Sequence, residues 1–140
     1  LYISRSSTSR IMSVALNVGS RQPAYCTSLG RVMLAAMSEE KLQAYLAGVE
    51  LRAYTDRTVV SARRLTELLA GIRQAGYAIL EDELEVGLRS IAVPVRGASG
   101  AVVAALNIGA QATRVTSRQM EEEFLPVLLK GAQELAALLP

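Results

Sequence analysis

Four residues carrying a hydroxyl or thiol, Tyr25, Cys26, Thr27 and Ser28, stand side by side directly before a helical run of Leu29, Val32, Met33 and Ala36. Gly19 and Pro23 bracket a turn ahead of them. Small polar groups at the mouth of a helix cap its free amides. They also receive an anion there, because those amides and the helix dipole favour negative charge. On these residues alone both readings stay open. Two arginines sharpen the second one. Arg31 lies just inside the helix, and Arg10 has the apolar parity of an upstream strand. A guanidinium aimed into a cavity takes a carboxylate as a bidentate pair. The plainer alternatives are a surface position for Arg31 and a strand-end Arg10 that snorkels to water. Residues 1–37 hold Arg5, Arg10, Arg21 and Arg31 and no acid, so this part of the chain prefers anions.

Other chemistry is poorly supplied. The chain has no His, which removes the commonest general base and the commonest metal ligand. One Cys without His makes neither a zinc site nor an activated thiol, so no metal and no cofactor are expected. The acids Glu81, Asp82, Glu83 and Glu85 could form a carboxylate pair or a hard-cation site, but such clusters more often solvate strand ends and loops. The turn Gly97-Ala98-Ser99-Gly100 is too short for a phosphate loop. A non-catalytic sensor is the leading reading. A ligand-free oligomerisation module and a small hydrolase using Cys26 are the alternatives.

The elements that must position these residues follow from periodicity. Leu1 to Arg5 and Arg10 to Val18 read as strands, the second with Met12, Val14, Leu16 and Val18 on one face. Ser38 and Ser61 are placed to cap helices whose apolar stripes are Leu42, Tyr45, Leu46, Val49 and Leu65, Leu68, Leu69, Ile72. Gly76 closes the second of these. Three strands are predicted at Tyr77 to Leu80, Leu88 to Val95 and Ala101 to Ile108, the last two joined as a hairpin. Thr116 and Gln119 have capping-box spacing and open a helix to Leu139, with Met120, Phe124, Leu128, Leu135 and Leu139 inward and a kink at Pro126. Strand pairs with tight turns and flanking helices define a single α+β domain with an antiparallel sheet.

The 140 residues suit one domain, and 51% of them are hydrophobic with a single Phe and no Trp, so the core must be aliphatic. A net charge of +2 does not by itself imply nucleic-acid binding. A lone cysteine suits a reducing cytoplasm, and no apolar run reaches the ~20 residues of a membrane helix. The chain opens on Leu1, already in a strand-like run, and is expected to be a piece of a longer protein.

Three blocks together resemble the effector-binding domain of IclR-family bacterial transcription regulators. They are GSRQPAYCTSLGRVMLA (19–35), GYAILEDELEVGLRSIAVPVR (76–96) and GAVVAALNIGA (100–110). The details RIMSVALNVGSR and PAYCTSLGRVMLA are most similar to the subgroup governing aromatic-acid breakdown through the β-ketoadipate pathway. The resemblance implies a GAF/profilin-like fold, a six-stranded antiparallel sheet with helices on its sides. It implies a pocket between the sheet and a wall made by Ala24 to Gly30, including Leu29. Ser90 occupies the position that often holds a pocket-facing Cys, and Asn107 and Gly109 stand where some members have serines. Leu80 and Glu81 fall where others place a pocket Asp, and Leu80 would make the cavity less polar and better suited to an aromatic ring. The implied effector is a small organic acid of the protocatechuate, 4-hydroxybenzoate or β-ketoadipate type. The implied partners are further copies of the chain, as homodimer or homotetramer, and promoter DNA through an upstream winged helix-turn-helix.

Overall fold

A computed structural model describes residues 1–6 and 17–139. After a short 3-10 turn at Ala24–Cys26 come α1 (Ser28–Ala35), α2 (Glu39–Gly48) and α3 (Ala62–Ala75). Each begins where a hydroxyl in extended backbone turns onto an amide three residues on: Thr27 onto Gly30, Ser38 onto Lys41 and Ser61 onto Arg64. The helix α3 stops at Gly76, whose φ of 82° opens the left-handed region that ends a helix cheaply.

Strands β1 (Ala78–Glu81), β2 (Leu88–Arg96) and β3 (Val102–Gln111) form an antiparallel sheet in the order β1-β2-β3. The turn at 97–100 joins β2 to β3 as expected, closed by the Gly97 amide on Ala101 and the Gly100 amide on Gly97. The sheet divides its side chains by parity. Ile91, Val93 and Val95 of β2 pack with Met120, Leu128 and Ala132 on one face. On the other face Ala78, Leu80 and Ala92 pack under Val32 of α1. The far side of α1 meets α2 and α3, where Leu34, Ala35, Leu42, Leu65 and Leu69 are buried with Tyr25 and Cys26. The helix α1 is therefore a middle layer, apolar on two sides, and each fully buried Leu there contributes about 1.5–3 kcal/mol over exposure.

Among the described residues the sheet has three strands, where six are expected. Two other expectations need correction. Leu1 to Arg5 is not a strand: among the described residues Tyr2 accepts from the Gly19 amide and donates to the Ser20 carbonyl without a ladder forming. The predicted strand from Arg10 to Val18 lies mostly outside the described residues, and its end at Val18 and Gly19 is a turn. The C-terminal helix is not one kinked rod. The capping box of Thr116 and Gln119 opens α4 (Ser117–Gln119), and a π-helical turn at Met120–Phe124 precedes α5 (Leu125–Ala136). Pro126 has no amide for Glu122, and the ladder widens just before it, the Leu125 amide reaching back to Met120. After this turn the buried stripe runs through Leu128 and Ala132, while Leu135 and Leu139 are 40% and 37% exposed.

Candidate functional site

The wall at residues 24–31 is built on a close approach of backbone to backbone. A Cβ on Gly30 would lie 2.2 Å from the Ala24 carbonyl oxygen and 2.3 Å from its Cα. Only glycine lets the first turn of α1 lie against the preceding 3-10 turn. The hydroxyls then divide between two duties. Thr27 Oγ1 donates to the Pro23 carbonyl at 3.0 Å and accepts the Gly30 amide at 3.2 Å, so it is a cap. The Tyr25 phenol donates to the Arg52 carbonyl at 2.7 Å and accepts the Arg52 amide at 2.9 Å, tying the wall to the segment after α2. Ser28 is buried at the first position of α1.

Cys26 is buried, and burial, assisted by Glu83 and opposed by Arg31, pushes its thiol up to about 11. The thiolate is the nucleophile, so this environment argues against the hydrolase alternative. Ellman's reagent at pH 8 is expected to react with the native chain about 100-fold more slowly than with an unperturbed thiol, and at the ordinary rate once the chain is unfolded. Rapid native-state labelling would contradict this burial. A thiol raised when folded favours folding fully below the unfolded value near 9, and that contribution is lost as pH rises toward about 11.

Arg31 is not at the surface. It is 3% exposed; its Nε donates to the Tyr25 carbonyl at 2.8 Å and its Nη2 to Glu83 Oε1 at 2.5 Å. Glu83 Oε1 also accepts the Val59 amide at 3.1 Å. The acid cluster of the sequence is thus dispersed among separate duties. Glu81 pairs with Arg89 at 2.6 Å, and Asp82 Oδ1 accepts the Gly87 amide. Among the described residues no group of His, Cys, Asp and Glu could hold a metal ion, and no helix is long and apolar enough to cross a membrane.

The sheet brings the other candidates together. Leu80 pairs with Ser90, and Ser90 with Gly109, as one row across three strands. Ala78, Ala92 and Asn107 form the next row on the same face. Leu80 and Ser90 are buried, Asn107 is half-buried and Gly109 is exposed, so the row is closed at β1 and open at β3. This is the face under α1, since Val32 packs on Ala78, Leu80 and Ala92 with Leu29 beside it. A shallow cleft joins Val32, Ala35 and Ala36 to Pro94, Arg96 and Val102, so α1 runs lengthwise over β2. Ser28 stands one turn before Val32 on the same side of the helix. None of the sequence candidates lines that cleft. Arg10 lies outside the described residues.

Sequence reasoning missed Glu83 and Arg52 as partners of the wall. Asp82 carries a φ of 58° and re-aims the chain inward just after β1, and no spacing of acids announces that reversal.

With this geometry in hand, the chain belongs to the family described as bacterial transcriptional regulator IclR C-terminal, whose pattern matches residues 1–137. It is 48% identical over 136 residues to the Pca regulon regulatory protein of Pseudomonas putida, covering 96% of this chain and 47% of that protein. It is 33% identical over 134 residues to the p-hydroxybenzoate hydroxylase transcriptional activator of Acinetobacter baylyi, covering 96% of this chain and 49% of that protein. Among solved structures it is similar to a double mutant of the PobR inducer-binding domain from Acinetobacter in complex with 3-hydroxybenzoic acid. That match has a TM-score of 0.86 at 32% identity, covering 92% of this chain and 74% of the other. The IclR of Thermotoga maritima matches with a TM-score of 0.88 at 30% identity, over 96% of this chain and 54% of that one. The chain spans about half the length of the curated relatives it matches. These relatives are transcription regulators rather than enzymes.

Proposed function

We propose that this chain is the effector-binding domain of a transcription regulator and takes a small aromatic acid between the start of α1 and the sheet row Leu80–Ser90–Gly109. The observation that carries the reading is the packing of α1, which begins at the buried Ser28, over the sheet face of Leu80, in a row closed by Leu80 and open at Gly109. A largely aliphatic surround with few placed polar groups suits an aromatic ring with a carboxylate. The relative solved with 3-hydroxybenzoic acid supports the same ligand class. Ser28 and Ser90 supply polar contacts, Leu29 and Leu80 apolar ones, and Asn107 and Gly109 the rim. Arg31 is spent on Glu83, so the carboxylate falls to Arg10. Protocatechuate and 4-hydroxybenzoate are preferred to β-ketoadipate, because Leu80 lines the row without a polar group.

The full protein is a cytoplasmic homodimer or homotetramer whose upstream winged helix-turn-helix binds promoter DNA, and the effector biases that DNA-binding half through linked sites. The six-stranded GAF/profilin-like sheet belongs to the same proposal, supported by the likeness to the solved relatives.

Thermal melting with benzoate, 3- and 4-hydroxybenzoate, protocatechuate and β-ketoadipate tests the reading. A ligand held about 100-fold above its Kd stabilises by about 2.7 kcal/mol, raising Tm by several degrees. Arg10→Ala is expected to weaken the preferred acid more than about tenfold, or ~1.4 kcal/mol, with an unchanged Tm of the free domain. No shift with any of these acids would reject the aromatic-acid reading.

A further inference from the structure

We infer that the buried Arg31–Glu83 pair positions the ligand wall, fixing residues 25–28 against the segment 52–59 and so setting affinity without touching the ligand. The inference rests on the reading of the 25–31 wall as the ligand site. Its basis is a closed circuit of directed bonds. Arg31 Nε holds the Tyr25 carbonyl, and Arg31 Nη2 holds Glu83 Oε1. That same carboxylate oxygen holds the Val59 amide. Thr58 Oγ1 donates to the Glu83 carbonyl while accepting the amides of Tyr54 and Thr55. Thr55 Oγ1 donates to the Asp82 carbonyl at 2.5 Å. The circuit returns to the wall through Arg52, whose amide and carbonyl both meet the Tyr25 phenol.

The pair is the one charged link in that circuit, with side chains 4% and 10% exposed. A buried ion pair gives little net stability over a well-packed apolar pair, so fixed geometry is the better account of what it contributes. Arg31 serves two acceptors from one rigid plane, pointing Nε at the wall and Nη2 at Glu83. A lysine ammonium at the end of a flexible stem cannot hold both directions at once.

Two variants of the domain test this. Arg31→Met with Glu83→Leu removes both charges together and leaves no unpaired buried ion, and Arg31→Lys keeps the charge and loses the plane. The readouts are amide hydrogen exchange of the ligand-free domain and titration with 4-hydroxybenzoate and protocatechuate. In both variants protection of the Val59 and Arg52 amides is expected to fall about tenfold or more, while the Ile91 and Val93 amides stay near wild type. Affinity for the acid that the wild type prefers is expected to fall by at least about tenfold. Wild-type protection at 52–59, or wild-type affinity in a variant, overturns the inference. If the double variant fails to fold, Arg31→Lys decides alone. A wild-type domain that binds none of the acids tested above rejects the proposed function instead, and the exchange result still decides whether the pair positions the wall.

Discussion

Gly30→Ala is expected to cost about 3 kcal/mol or more of folding stability and to abolish ligand binding. The added Cβ would fall 2.2, 2.3 and 2.6 Å from the carbonyl oxygen, Cα and carbonyl carbon of Ala24. All three are backbone atoms, so no side chain can swing aside. Relief requires the 3-10 turn and α1 to part, and that moves Tyr25 and Ser28 together. Gly71→Ala is the matched control. It sits within α3, a Cβ there meets nothing within 4 Å, and the substitution should stabilise by roughly 0.5–1 kcal/mol. Urea denaturation of the two variants separates the cases, and a Gly30→Ala chain as stable as wild type would mean that the wall is not built on that contact.

Glu83→Leu is the second large effect expected. It leaves the Arg31 guanidinium buried without its carboxylate and strips the Val59 amide of its acceptor. Breaking one half of a buried pair costs about 3–5 kcal/mol. The exposed pairs Arg63–Glu67 and Arg118–Glu122 sit in water, and removing their acids should change stability by less than about 0.5 kcal/mol. Chemical denaturation of Glu83→Leu beside Glu122→Ala makes the comparison. Adding Arg31→Met to Glu83→Leu should restore most of the loss, because the uncompensated charge goes with it.

Local chemistry made much of the scaffold legible. Ser38, Ser61 and Thr116 each cap a helix as their spacing suggests, Gly76 ends α3, and the 97–100 turn closes a hairpin. The three family-like blocks also fell together, with Leu80, Ser90 and Gly109 in one row, because strand register carries sequence spacing directly into space. What stayed hidden depends on partners far apart in the chain. Arg31 and Glu83 are 52 residues apart, and only the left-handed turn at Asp82 sends Glu83 inward. The Tyr25 phenol finds Arg52 over 27 residues, a tie that no local spacing announces. The expected inward stripe of the C-terminal helix holds across the π-helical turn, at Met120 and Leu128, and fails only toward the end of the chain, where Leu135 and Leu139 are exposed. Leu1 to Arg5 alternates like a strand, yet it has no ladder to join within the described residues.

The structure of this chain crystallised with 4-hydroxybenzoate tests the central claim most directly. The ring is expected between the start of α1 and the row Leu80–Ser90–Gly109, with Ser28 or Ser90 within hydrogen-bond distance of a ligand oxygen. The ligand seated instead in the cleft by Pro94 and Arg96, or no ligand bound, would contradict it.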